Sequence, residues 1–173
     1  MTPPDLRNEA FWDGPTQEPV APRVGARSRP RRAADPGERV ETRGRARALQ
    51  ALYAADLRDM QQLRKIATTV FDDLAVDPGE RAVASRLVGT VVEQGAQLDA
   101  ALTEVTANWR LERLGAIERS VLRLAAAELA RNETPVRVVL QEAVRLAERY
   151  GTTRSARFVN GVLDAYARRL GRL

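Results

Sequence analysis

The sequence predicts an all-α fold, and three observations carry that prediction. From Arg43 onward apolar residues return at i, i+3, i+4 and i+7, the spacing of one helix face. No window alternates apolar and polar residues with the β-branched enrichment of a strand. The pattern breaks at helix-start and helix-stop residues: Asp77-Pro78, Thr134-Pro135 and Gly151-Thr152.

The elements follow in chain order. Residues 1–42 hold seven of the nine prolines and the run Arg27-Ser-Arg-Pro-Arg-Arg32, with few aliphatics. Such a segment buries too little apolar surface to offset the entropy of ordering it, so a disordered basic arm is expected. Within it Phe11-Trp12 reads either as an incidental pair or as a short docking motif. The folded domain is expected over 43–173, with about seven helices. Leu49, Leu52, Tyr53 and Leu57 mark the first, and Ile66, Val70, Phe71 and Leu74 the second. Asp77-Pro78-Gly79-Glu80 supplies an N-cap, a proline at the first helical position and a capping-box glutamate for a third helix through Val83, Leu87 and Val91. Leu98, Leu102, Val105 and Trp109 make a fourth, and Leu114, Ile117, Val121, Leu124 and Glu128 a fifth. Thr134-Pro135 opens a sixth through Val136, Val139, Leu140, Ala143 and Leu146, with Gly151 as its αL stop. Thr152 or Thr153 caps the last, which carries Phe158, Val162 and Tyr166 beside Val159, Leu163 and Leu170.

Composition removes whole classes of chemistry. The chain has no cysteine and no histidine. Disulfides, thiol nucleophiles, thiolate or imidazole metal ligands and the usual general base near neutral pH are therefore missing. The carboxylates at Asp72-Asp73, Glu80, Glu128 and Glu142 have no partner at metal-binding or acid–base spacing, and no glycine-rich phosphate loop is present. No catalytic residue, cofactor or metal site is expected. No run of about 18 apolar residues and no signal-peptide core is found, which makes a cytoplasmic location the default.

What remains is charge. Of 28 basic residues all but Lys65 are arginine, and the net charge is +5, which favours a polyanionic partner. Arg43 and Arg47 stand one helical turn apart ahead of Tyr53, and Arg154 and Arg157 precede Phe158. Arginines beside an aromatic platform suit single-stranded RNA, with a base on the ring and phosphates on the guanidinium groups. Gln50, Glu118, Glu128, Glu142 and Asn160 lie within or beside apolar stripes. They read either as satisfied buried hydrogen bonds or as part of a protein interface.

A family resemblance emerges from these pieces. Arg45-Ala-Arg-Ala-Leu-Gln-Ala-Leu-Tyr53, Trp109-Arg-Leu-Glu-Arg-Leu114, Ile117-Glu-Arg-Ser-Val-Leu-Arg-Leu124, Gln141-Glu-Ala-Val-Arg-Leu-Ala147, Tyr150-Gly151 and Phe158-Val-Asn-Gly-Val-Leu-Asp164 occur in the order seen in the NusB family of transcription antitermination proteins. The resemblance covers about residues 43–170, and Phe158 to Asp164 is its most specific part. It implies two packed helical bundles and two partners: single-stranded boxA RNA in nascent ribosomal RNA transcripts, and NusE, a small-subunit ribosomal protein. It further implies a role in assembling an antitermination complex on RNA polymerase. By match to the family's arginine-rich start, Arg43, Arg45 and Arg47 are expected at RNA phosphates. Tyr53, Arg154 and Arg157 are expected near RNA, and Glu112, Glu118 and Phe158 toward the protein partner. The chain departs from the family pattern at Arg154, where an acidic residue is common, at Glu148, where lysine is frequent, and at Thr42 and Gly44, which thin the basic cluster. Arg27, Arg29, Arg31 and Arg32 are expected to compensate electrostatically. The alternatives are a detached module related to the RNA-engaging part of ribosomal RNA cytosine methyltransferases, and a structural homodimerisation domain.

Overall fold

The computed structural model of the chain describes residues 38–106 and 109–173. These contain six α-helices and two 3₁₀ turns, with no strand among the described residues. In order they are α1 (Val40–Asp56), a turn (Met60–Gln62), α2 (Leu63–Asp73), α3 (Pro78–Val105), a turn (Leu111–Arg113), α4 (Ala116–Arg131), α5 (Val136–Tyr150) and α6 (Thr153–Arg169). The expected disorder of the arm, the Phe11-Trp12 pair and the compensating arginines lie outside the described residues. Residues 40–42, assigned to the arm from sequence, are already the first residues of α1.

Six helices replace the expected seven because the third and fourth are one. α3 runs for 28 residues with no break at Gly95, where an added Cβ would meet only open space. A lone glycine inside a helix costs stability without ending it. The helix stops instead at Thr106, whose hydroxyl donates to the Trp109 carbonyl at 2.8 Å, so Trp109 lies beyond it. Its start is as expected in part: Asp77 accepts from the Gly79 amide at 2.8 Å and Pro78 opens the helix. Glu80, however, does not close a capping box; its carboxylate turns toward α1.

The other termini follow local chemistry. Thr152 caps α6 in a reciprocal box with Ser155. Gly151 is not left-handed (φ −108°); it is glycine because a Cβ would come within 2.8 Å of the Ala147 carbonyl oxygen and the Ser155 hydroxyl. The left-handed stop belongs to Asn132 at the end of α4 (φ 56°), a role asparagine tolerates.

Two bundles result. α1, α2 and α3 form one, with α1 lying along α3; α4, α5 and α6 form the other; α4 also packs on α1 and α3 and joins them. Leu49, Leu52, Leu102, Leu122, Leu124, Leu129 and Leu163 are fully buried between these helices. Each removes apolar area from water that contributes about 1.5–3 kcal/mol. α1 is buried over most of its circumference, so its stripe is not the expected one: Tyr53 and Leu57 face outward, and Ala48, Ala51 and Ala55 fill the core beside the leucines.

α1 and α3 pack tightly at Gly44. A Cβ there would fall 2.5 Å from the Val83 Cβ and 3.1 Å from the Glu80 carbonyl oxygen. The residue that thins the basic cluster in sequence is therefore what lets the two helices approach. Gly44→Ala is expected to destabilise the fold by about 1–3 kcal/mol through overpacking. Gly95→Ala, in open space within the same bundle, is expected to stabilise it by about 0.5–1 kcal/mol. Thermal unfolding of the two variants beside the parent protein checks both signs.

Candidate nucleic-acid interface

The rotation of α1 about its own axis decides which arginines can meet a ligand. Successive helical residues turn by about 100°, so Arg45 points away from both Arg43 and Arg47. Arg45 points inward. It is 6% exposed, and its guanidinium grips Glu128 of α4 with two hydrogen bonds, Nε to Oε2 at 2.8 Å and Nη2 to Oε1. Thr134 donates its hydroxyl to the same carboxylate at 2.8 Å. Arg45, expected at RNA phosphates, is thus corrected to a core residue: its charge is consumed by Glu128 and its side chain is shielded from solvent.

Arg43 and Arg47 emerge on the opposite side. Both are partly exposed, and both are held by one carboxylate, Glu80 of α3. The Arg43 Nε donates to Oε1 at 2.7 Å and the Arg47 Nε to Oε2 at 2.9 Å. Arg47 also donates through Nη1 to the Gln50 Oε1 at 3.2 Å, and Arg43 through Nη1 to the Glu38 carbonyl. The Glu80 carboxyl is nearly buried, which by itself would raise its pKa. The hydrogen bonds and charges of the two arginines outweigh that and hold it below its ordinary value. Glu38 extends the group: its carboxylate lies 2.6 Å from Arg145 and 3.6 Å from Arg149, both on α5.

A second group gathers where α4 and α6 begin. Glu118 accepts from the Ser155 hydroxyl. Ser155 stands one turn before Phe158, which is half-buried against the core, while Arg154 and Arg157 are exposed on the first two turns of α6. The structure therefore brings Glu118 to the helix that carries Phe158, Arg154 and Arg157. Glu112 is exposed in the 3₁₀ turn before α4. Tyr53 is 37% exposed on α1, but six residues after Arg47 it lies well round the helix from that arginine. Of the polar residues left open by sequence, Gln50, Glu118 and Glu128 make intramolecular hydrogen bonds, Asn160 is exposed, and the buried Glu142 Oε2 has no hydrogen-bond partner among the described residues.

The turn carrying Glu112 is set by an ionic network beneath it. Arg119 of α4 donates to both oxygens of Asp56 at 2.8 and 2.6 Å, and its Nη1 reaches the carbonyls of Leu111 and Leu114 at 3.0 and 2.8 Å. Arg123 bridges Asp56 and Asp99, each contact at 2.8 Å. Burial alone would raise the Asp56 carboxyl; Arg119 and then Arg123 outweigh it and hold it below the usual carboxylate range.

A model of the NusB family matches residues 42–168. The chain belongs to the NusB family. It is 46% identical over 131 residues to the transcription antitermination protein NusB of Sorangium cellulosum, a match covering 75% of this chain and 93% of the relative. To the Bacillus subtilis protein of that name it is 38% identical over 121 residues, covering 69% and 88%. Among solved structures, T. maritima NusB superposes with a TM-score of 0.69 at 32% identity, covering 74% of this chain and 90% of that one. A crystal structure of the antitermination factors NusB and NusE in complex with dsRNA gives 0.68 at 28% identity, covering 75% and 97%.

Family sequence patterns alone do not expose Glu80, Glu38, Arg145 and Arg149 as parts of the α1 group. Glu80 carried a signal, a glutamate three residues after an N-cap, but that signal pointed to a local role. Two outcomes test the ionic anchoring. Arg45→Ala, which strands the Glu128 carboxylate in the core, is expected to cost about 3–5 kcal/mol in urea unfolding. Asp56 and Glu80, depressed in the fold, contribute stability that is complete above the ordinary carboxylate range and lost as pH falls below about 4. Asp56→Asn is expected to flatten that acid limb in unfolding curves taken across pH 2–7.

Proposed function

We propose that this chain is a transcription antitermination factor that binds single-stranded boxA-type RNA in nascent ribosomal RNA transcripts. It does so together with NusE, and the pair supports assembly of an antitermination complex on RNA polymerase. The observation that carries the reading is the likeness, over 97% of its length, to a NusB chain solved with NusE and dsRNA, combined with the outward pair Arg43 and Arg47. The role is binding rather than catalysis: relatives are named as antitermination proteins, and the grouped side chains are arginines and their acceptors. No helix among the described residues is long and apolar enough to cross a membrane. We place the protein in the cytoplasm, where nascent transcripts are.

Two kinds of contact divide the work. The guanidinium groups of Arg43 and Arg47, with Arg154 and Arg157 on α6, supply attraction to phosphate that is tolerant of sequence. Sequence choice comes from unstacked bases, contacted at their edges or stacked on exposed rings such as Tyr53, and is shared with NusE. Glu112, Glu118 and Phe158 are assigned to the protein partner.

Affinity for single-stranded RNA falls with salt at a slope of about −0.7 per phosphate neutralised. The double variant Arg43→Ala, Arg47→Ala is expected to flatten that slope by about 1.4 while circular dichroism stays helical. Fluorescence titration of a boxA-type RNA and a scrambled control at several salt concentrations, with and without NusE, measures it. An unchanged slope removes RNA from this face of α1, and equal affinity for the two RNAs under every condition removes sequence recognition.

A further inference from the structure

We infer that Glu80, an acidic residue at the centre of the cationic face, is a positioning residue for RNA binding: it holds Arg43 and Arg47 in the conformation that meets phosphate. The inference rests on the RNA-binding reading of α1 and adds to it a residue of opposite charge. Its basis is geometric. Each Nε atom is spent on Glu80, at 2.7 and 2.9 Å, and each Nη1 on a second acceptor, the Glu38 carbonyl or the Gln50 amide oxygen. Among the described residues the Nη2 of each makes no hydrogen bond, and the two side chains remain 22% and 27% exposed. Glu80 itself is 6% exposed and is carried on the first turn of α3, which Asp77 and Pro78 fix. The clamp is therefore built on two helices locked together at Gly44.

Two effects of Glu80 on RNA oppose each other, and their sizes decide the outcome. A carboxylate near phosphates repels them, but across water, at about 7 Å and through physiological salt, this costs roughly a factor of two in affinity. Ordering a free arginine on binding costs about two- to tenfold for each side chain. Glu80 orders two of them before the ligand arrives, and it leaves the clamp with one net positive charge. Pre-ordering wins. Removing this negative charge from a nucleic-acid-binding face therefore weakens binding.

The test is a titration of fluorescently labelled single-stranded boxA-type RNA with the full chain and its Glu80→Ala and Glu80→Gln variants, at several salt concentrations. Glu80→Ala is expected to lose about fivefold or more in affinity with the salt slope retained, since the same phosphates are still neutralised. Glu80→Gln, which keeps one acceptor oxygen, is expected to fall between it and the parent. In the Arg43→Ala, Arg47→Ala background, where only the repulsion is left, Glu80→Ala is expected to lose no affinity and to gain at most about twofold; thermal melts report its effect on folding separately. A rise in affinity in Glu80→Ala, or a loss that persists in the arginine-free background, overturns the positioning role. If the arginine double variant loses affinity and the Glu80 variants do not, the positioning role fails and the RNA face stands. If the double variant loses nothing, the face fails and the positioning role with it.

Discussion

The buried pair between Arg45 and Glu128 is the constraint on which the rest of the structure depends. Once a guanidinium is taken into the core it must find a carboxylate there, because an unpaired buried charge costs several kcal/mol. Arg45 is too fully enclosed to turn back to solvent, so the pair fixes the rotation of α1 against α4. Everything else about α1 follows from that rotation. Its alanines and leucines fill the core, Gly44 meets α3, and Arg43 and Arg47 are left facing Glu80. A helix whose arginines alternate between core and surface has only one setting that satisfies them all.

The same economy runs through the molecule. Asp56, Glu80 and Glu128 are each shielded from solvent, and each is satisfied by arginines from a neighbouring helix. Arginine suits this use because its planar fork makes two bonds of fixed geometry, which lysine does not. The consequence for function is that a count of arginines overstates the cationic surface. Arg45, Arg119 and Arg123 are structural cross-links, and Arg43 and Arg47 are partly so. The face offered to RNA is defined by a few guanidinium ends whose direction the fold sets. Net charge supplies the attraction, and these ends supply its place.

Much of the fold was legible in the sequence, because a helix announces itself locally. The apolar spacing marks every helix, although it divides α3 in two, and Pro78 and Thr152 stand at the starts of α3 and α6 as the sequence predicts. The errors came where tertiary packing overrides a local rule. The third and fourth expected helices are one, since the chain continues helical through Gly95, where an added Cβ would meet only open space. Gly151 is glycine for clearance rather than for a left-handed turn, and the left-handed helix stop is at Asn132, after α4. Tyr53 and Leu57 continued an apolar stripe on paper but face outward, because α1 is wrapped by α2, α3 and α4 and buries its small residues instead.

For the candidate site the division is sharper. By itself the sequence determined the helical class, the absence of histidine and cysteine chemistry, a cationic character and the family, all of which depend on residue type and on spacing along the chain. Only the tertiary structure decided that, of three arginines at alternate positions, one is core and two are surface. It also decided that a presumed capping glutamate binds them and that α5 lends its arginines to the same neighbourhood. The reason is physical: periodicity gives the angle between two side chains on a helix, but not where zero lies. That origin is set by partners far along the chain, such as Glu128 for Arg45, and appears only when the helices pack.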